Sequence, residues 1–561
     1  MEATNTPART GGRILVDALV AQGVDHVFCV PGESYLAALD AFHDAAVEIT
    51  VCRQEGGAAM MADAYGKLTG RPGICFVTRG PGATNASPGI HIASQDSTPM
   101  IVLVGQVGRD MRDREAFQEL DYSGVFGTIA KWATEIDDPA RIPEYIHRAF
   151  MTAMNGRPGP VVLALPEDML TQEAVAFDAP YAEAVPTAPP ADSMARLSAM
   201  LAGAKRPVMV LGGSRWSEQG VADIRRFAEA FDLPVGCQFR RQSLFDSTHP
   251  NYAGDVGIGP NPELAKRLKE TDLFLLVGGR MSEMPSSGYT LLDIPTPKQP
   301  LVHVHPSAEE LGRVYAPTLA IHADPTSFAA AAAALAPPAA IAWSAETRAA
   351  NEAYHGWSDV APTMPGAVDY SAVIAWLRDW LPEDAIVCNG AGNYSIWLHR
   401  FLRYRRFGTQ LAPTSGSMGY GIPAAVGAKR IHPDRTVVAF AGDGCFLMNG
   451  QEFATAAQYG LPIVVVVVDN GMYGTIRMHQ EREYPGRVTA TRLENPDFAA
   501  LARAYGGHGE TVESTADFAP AFERAAASGK PAIVHVKVDP EAITPTTTLT
   551  KLREMALAKA R

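Results

Sequence analysis

A chain of 561 residues exceeds what one hydrophobic core supports, since single cores stop growing at roughly 250–300 residues. Its composition, 47% hydrophobic and 19% charged, is that of an ordinary globular protein, and a net charge of −13 argues against nucleic acid as the main partner. No apolar run approaches the roughly 20 residues that span a bilayer, and the opening MEATNTPARTGGRILVDALV lacks the long apolar core of a secretory leader. The expectation is a cytoplasmic protein of several domains with no membrane and no nucleic-acid partner. The cysteines (Cys29, Cys52, Cys75, Cys237, Cys388 and Cys445) form no CxxC pair and read as buried free thiols of a reducing compartment.

In chain order, two Pro/Ala-rich stretches, Ala184–Ser193 and Ala334–Trp343, read as linkers, because proline-rich segments without periodicity build neither helix nor sheet. They predict domains over 1–183, 194–334 and 345–547. The first block carries the apolar runs HVFCV, GICFVT, PMIVLVG and GPVVLALP; the second PVMVLGG, DLFLLVGG and PLVHVH; the third AIVCNG, TVVAFAGDG, PIVVVVVDN and PAIVHVKV. Hydrophobicity that is continuous, not alternating, marks strands covered on both faces. The predicted class is α/β, with three doubly wound, mostly parallel sheets. Ligands in such sheets bind beyond the carboxyl ends of the strands.

Two runs in the third block end in polar and glycine clusters, Gly442-Asp443-Gly444-Cys445 and Asn470-Gly471-Met472-Tyr473. Magnesium prefers oxygen ligands and shares its shell with phosphates. One carboxylate oxygen of Asp443, one amide oxygen of Asn470 and the backbone carbonyl of Met472 make a plausible set. The glycines at 442 and 444 admit close backbone approach, and a helix expected to start near Asn449 adds its positive end.

Asp443-Gly444 followed 27 residues later by Asn470 resembles the cofactor signature of thiamine diphosphate-dependent enzymes. Further motifs resemble the acetolactate synthase-like branch of that superfamily, which also includes pyruvate and benzoylformate decarboxylases. The resemblance implies pyrimidine-binding, central and diphosphate-binding domains, and a homodimer or homotetramer with active sites at subunit interfaces. It implies that Glu55, in RQEGGAA, hydrogen-bonds the aminopyrimidine ring, sharing a proton that a dry cleft makes easier to hold. In TSGSMGYG, Met418 would wedge the cofactor into its bent form, the Gly416 carbonyl and the Met418 N–H would read the pyrimidine edge, and Ser417 between them would also bind the cofactor. In NGAGNYSIW, Gly392, Asn393 and Tyr394 would touch the diphosphate. The glycine-rich RGPGATN would line the cleft.

The implied reaction is decarboxylation of pyruvate or a similar 2-oxo acid and ligation of the product to a second carbonyl. The alternative is simple decarboxylation, or cleavage of a 1,2-dione, with the same cofactor. Phe117 and Gln118, in AFQE, resemble substrate-channel residues, and Lys131, in IAKW, a substrate-side lysine. Three positions depart from the synthase pattern. His479 stands where a tryptophan is usual, Met284 where an arginine grips the acceptor carboxylate, and Glu33 where a second glycine usually follows Pro-Gly, with Ser34 beside it as a further candidate to line the substrate. These departures weigh against a branched-chain biosynthetic role and leave Arg79 and His479 to orient a different 2-oxo acid, aldehyde or dione. FAD in the central domain is possible on VLGGSRWS and VGGRMSEM, which plain sheet turns also match.

Overall fold

The computed structural model describes residues 7–559. All eleven apolar runs become strands, and seven more complete three six-stranded sheets; a short antiparallel pair, Arg9–Thr10 with Glu173–Ala174, stands apart. In the first third, His26–Cys29 (β1), Glu48–Val51 (β2), Gly73–Val77 (β3), Met100–Gln106 (β4), Trp132–Glu135 (β5) and Pro160–Pro166 (β6) pair in the order β2-β1-β3-β4-β6-β5. The central sheet is Pro207–Leu211 (β7), Val235–Gln238 (β8), Tyr252–Val256 (β9), Leu273–Val277 (β10), Leu301–His305 (β11) and Leu319–His322 (β12), ordered β9-β8-β7-β10-β11-β12. The third is Ile386–Asn389 (β13), Gln410–Leu411 (β14), Val437–Gly442 (β15), Val464–Asp469 (β16), His508–Val512 (β17) and Ala532–Lys537 (β18), ordered β14-β13-β15-β16-β18-β17.

Every strand pairing within these three sheets is parallel. The reason is visible in β16, where Val464 through Val468 are all buried. A strand sealed on both faces needs a helical layer on each side, and each valine so buried contributes roughly 1.5–3 kcal/mol.

The seven strands absent from the apolar reading are mostly edges: β2, β5, β9, β12, β14 and β17 end their sheets, and β8 lies next to one. Edges keep solvent on one side, so β2, β5, β12 and β17 carry half-exposed or exposed residues and polar side chains. β8 is fully buried, but its Gly236 and Gln238 dilute the apolar signal.

Five helices matter below: Glu55–Thr69 (α1), Ile142–Met154 (α2), Asp443–Asn449 (α3), Glu452–Gln458 (α4) and Gly474–Glu483 (α5). The second predicted linker falls cleanly between helices Pro325–Ala333 and Ser344–Ser358, whereas helix Ala191–Gly203 begins inside the first. The chain gathers into two compact units. One comprises Met1–Val185, Val426–Ile431 and Gln451–Tyr459 and holds the first sheet; the other comprises Pro186–Ala425, His432–Gly450 and Gly460–Arg561 and holds the other two. All six cysteines are buried and free. Among the described residues, no helix is long and apolar enough to cross a membrane.

Candidate active site

In the second unit, β15 ends at Gly442 and α3 begins at once, with Gly442 as its N-cap. This corrects the sequence expectation of a helix starting near Asn449. The positive helix end lies at Asp443 itself, where the first-turn N–H groups have no intrahelical acceptor. Next in the sheet, β16 ends at Asp469, and Asn470 opens a tight turn in which its Oδ1 accepts the N–H of Met472 at 3.3 Å. Gly471 takes the left-handed backbone this turn requires, with φ +67°. Backbone bonds from Tyr473 N to Thr491 O (2.8 Å) and Leu493 N to Gly471 O (2.8 Å) fix the turn on both sides of Met472.

These turns face a cavity of about 250 Å³ at the carboxyl edge of the third sheet. Gly392, Asn393, Tyr394, Gly416, Met418, Gly442, Asp443, Gly444, Cys445, Asn470, Met472 and Tyr473 all line it. Of the candidate cofactor residues only Ser417 is outside that lining, and its hydroxyl pairs with Ser415 at 3.0 Å. Gly444 is needed here: a Cβ would come within 2.6 Å of the Tyr473 ring.

Two expectations change in detail. The Tyr394 hydroxyl is already engaged, donating to Phe440 O (3.2 Å), with its ring against Gly442. The Asn393 side chain ties the loop down, accepting from Thr475 Oγ1 (2.9 Å) and donating to Ile543 O (3.1 Å).

A network absent from the sequence reading supports Asp443. The Asn495 amide donates to Asp443 Oδ2 (2.8 Å) and to Asp469 Oδ1 (2.8 Å), and His535 Nε2 meets Asp469 Oδ2 at 2.9 Å. Burial pushes the Asp443 carboxyl up to about 6, and the Asp469 charge adds to the rise against the opposing Asn495 amide and Gly444 N–H. Burial acts on Asp469 in the same sense, but His535, the Gly471 N–H and Asn495 outweigh it and hold Asp469 below the ordinary aspartate value. Asn495 and His535 lie far from the glycine clusters in sequence, so no local motif marks them.

In the first unit, Glu55 is the first residue of α1, half-buried, and its Oε2 accepts from Asn85 Nδ2 at 3.0 Å. A Cβ on Gly82 would sit 3.3 Å from Glu55 Oε1 and 2.7 Å from Thr78 Cγ2, so the glycine-rich loop packs directly beside the acid. Thr78 Oγ1 bonds Ser34 Oγ at 2.8 Å. The structure thus gathers Glu33, Ser34, Glu55 and Arg79 at one sheet edge.

It also corrects the role read for Arg79. That guanidinium is buried and bound to Glu33 (3.2 Å), Glu167 (3.0 Å) and Phe117 O (3.1 Å), so it is already matched by two carboxylates. Gln118 adopts φ +64° and packs over Gly80, while Phe117 is 71% exposed. Lys131 is likewise committed, its ammonium donating to Thr152 O (2.5 Å) and Asn155 O (2.7 Å) at the end of α2. It caps a helix there. His479 stands exposed on α5 of the second unit.

The donor set fits a divalent cation with a diphosphate. Among the described residues, no cluster of three or more His, Cys, Asp or Glu side chains forms a metal site. An ion sharing its shell with phosphates requires none: Asp443 offers a carboxylate that burial makes costly to charge alone, and Asn470 and Met472 offer neutral oxygens. In the central domain, the glycine turns are explained by packing. A Cβ on Gly213 would lie 1.8 Å from Gly278 O, and Cβ atoms on Gly212 and Gly279 would each lie 2.0 Å from Gln238 Oε1.

Family models for the thiamine pyrophosphate enzymes match three stretches: the N-terminal TPP binding domain over residues 9–125, the central domain over 194–332 and the C-terminal TPP binding domain over 390–536. The chain belongs to the thiamine pyrophosphate enzyme family. Among its relatives, the acetolactate synthase large subunit of Parasynechococcus marenigrum (strain WH8102) is 34% identical over 530 residues, covering 91% of this chain and 85% of that one. Acetolactate synthase isozyme 2 large subunit of Escherichia coli (strain K12) is 31% identical, covering 94% and 95%. The acetolactate synthase large subunit of Corynebacterium glutamicum is 30% identical, covering 92% and 84%.

Proposed function

We propose that this chain is a thiamine diphosphate- and Mg2+-dependent carboligase acting on 2-oxo acids. It decarboxylates pyruvate or a similar 2-oxo acid and joins the remaining fragment to a second carbonyl. The observation that carries this reading is the cavity at the edge of the third sheet, where Asp443, Asn470 and Met472 share one wall with glycine-lined loops. When bound, the coenzyme supplies a carbon nucleophile and an electron sink for loss of the carboxylate.

The chain's own residues divide the remaining work. Asp443, Asn470 and the Met472 carbonyl hold the cation. Gly392, Asn393, Gly442, Gly444 and Cys445 form the bed for the diphosphate. Gly416 and Met418 seat the pyrimidine end. Glu55 is the acid that holds a proton against the ring, braced by Asn85. Glu33, Ser34, Phe117, Gln118 and His479 border the substrate, while Arg79 shapes that border from within its ion pairs. Acid and cavity belong to different compact units, and the family resemblance has the acid of one chain serving the cavity of another. A homodimer or homotetramer is the assembly this reading requires, and six free thiols favour the cytoplasm.

A second reading, simple decarboxylation or dione cleavage, is favoured by Arg79. Held between Glu33 and Glu167, it offers no unmatched positive charge to a second anionic substrate. The test is a panel of 2-oxo acids and aldehydes with thiamine diphosphate and Mg2+, with CO2 followed and products identified by mass. Acyloin or acetohydroxyacid products support ligation, aldehyde or acid products support the second reading, and no turnover of any panel member removes both. A yellow purified protein would add FAD, which this reading does not include.

A further inference from the structure

Glu452, the first residue of α4, has no exposed surface, and a buried carboxylate must find partners. Its partners are two main-chain N–H groups and one hydroxyl. Oε1 accepts the N–H of Arg53 (3.0 Å) and of Gln54 (2.9 Å), while Oε2 accepts the Thr455 hydroxyl at 2.6 Å. Arg53 and Gln54 lie between the end of β2 and Glu55, where neither sheet nor helix satisfies their N–H groups.

The fit is steric as well as polar. A Cβ on Gly57 would lie 2.5 Å from Glu452 Oε1, so the second glycine of EGG is the space this side chain occupies. Three further ties reach the same stretch. The Tyr459 hydroxyl accepts from Val51 N (2.8 Å) and donates to Ile49 O (3.2 Å), and Arg53 Nη2 bonds Gln458 Oε1. From the other side, the Gln54 side chain caps α1 by accepting Gly57 N at 3.1 Å.

We propose that Glu452 is a positioning residue for Glu55, fixing the two peptide groups that precede the acid and hence where its carboxylate stands. This rests on the reading of Glu55 as the acid that meets the cofactor ring. Burial raises the Glu452 carboxyl, and the Thr455 hydroxyl, the two peptide N–H groups and the Arg53 charge offset part of that rise. The role is distinct from general stability because it is local. Loosening two peptides by about 1 Å is enough to cost on the order of 100-fold in a positioned reaction while the diphosphate site is untouched.

The experiment uses the full chain with Glu452→Ala, Glu452→Gln, Thr455→Val and, as reference, Glu55→Gln. Without cofactor, amide exchange measured by mass spectrometry should show lost protection at Arg53 and Gln54 in Glu452→Ala. With Mg2+ and thiamine diphosphate, deuterium exchange at the reacting thiazolium carbon should slow by about 10- to 100-fold in Glu452→Ala, with cofactor affinity by calorimetry nearly unchanged. Glu452→Gln should stay near the parent, since one carbonyl oxygen can accept both N–H groups.

The proposal is overturned if Glu452→Ala keeps the parental exchange rate, if Glu452→Gln is as slow as the alanine variant, or if cofactor affinity falls in step with the rate. Should Glu452→Ala not fold, Thr455→Val must show a smaller slowing of the same kind, and a parental rate there overturns the proposal as well. If Glu55→Gln exchanges as fast as the parent, the reading of Glu55 fails, whereas the amide protection of Arg53 and Gln54 still reports on Glu452 alone.

Discussion

The first and third sheets are strung identically, in each case with the second strand outermost, then the first, third, fourth, sixth and fifth. In both, the order in which strands are added switches direction between the first and third strands, which is where open parallel sheets bind ligands. Yet the two switch points are furnished oppositely. After β13 and β15 stand Gly392 and Asp443, bordering a glycine-lined cavity. After β1 and β3 stand Glu33 and Arg79, cross-braced to each other and to Glu167, with Ser34 bonded to Thr78. On the proposed reading, one copy of the topology is a receptacle and the other a mount for an acid. Topology therefore sets where a site lies, and side chains decide what it does.

The sharpest way to break this contrast is to remove one function from each sheet. Asp443→Ala should abolish the heat of association with Mg2+ and thiamine diphosphate, and with it all turnover. Glu55→Gln should leave that heat nearly intact while turnover falls by about 10²- to 10⁴-fold, the usual worth of a positioned proton-transfer group. If both variants lose binding equally, the division between receptacle and mount is wrong.

Asn495→Ala tests the support beneath the receptacle. By releasing Asp443 and Asp469 it should weaken metal-dependent cofactor binding by about 10- to 100-fold, read by titration calorimetry, with the melting temperature little changed.

A pH series sharpens the picture further. Burial raises the Asp443 carboxyl to about 6, so in the metal-free protein this group contributes stability below the ordinary aspartate range, and that contribution is lost as pH rises through about 6. The metal needs the ionised form. Stabilisation by Mg2+ with thiamine diphosphate should therefore grow over the same interval, and melting curves with and without cofactor should diverge as pH increases through about 6. Asp443→Asn should flatten both trends.

The smallest effect belongs to the mount. Gly57→Ala places a methyl 2.5 Å from Glu452 Oε1 and should cost about 1–3 kcal/mol by overpacking, measured by denaturant unfolding.

Much of this site was legible in the sequence because its residues fall in short local patterns. GDG and DNG each lie at the end of an unbroken apolar run, so strand, turn and candidate ligand can be read together. Most interior strands were legible for the same reason, since burial on both faces leaves few polar residues to break the run; β8, with Gly236 and Gln238, is the exception. The edge strands β2, β5, β12 and β17 were not, because half their surface is wet and their composition resembles that of loops.

What only the tertiary structure decided is which distant residues meet. Nothing local ties Asn495 to Asp443, His535 to Asp469, Glu167 to Arg79, or Glu452 to the peptide before Glu55; these pairings span 52 to 399 positions of chain and exist because the fold brings distant segments to one sheet edge. The sequence by itself determined the class of fold, the cofactor family and the glycine turns, through patterns repeated within a few residues. The folded chain determined the charge balance around Arg79, the start of α3 at Asp443 and the commitment of Lys131 to a helix end. Those outcomes depend on burial and hydrogen-bond satisfaction, which are properties of neighbours in space and not of neighbours in the chain.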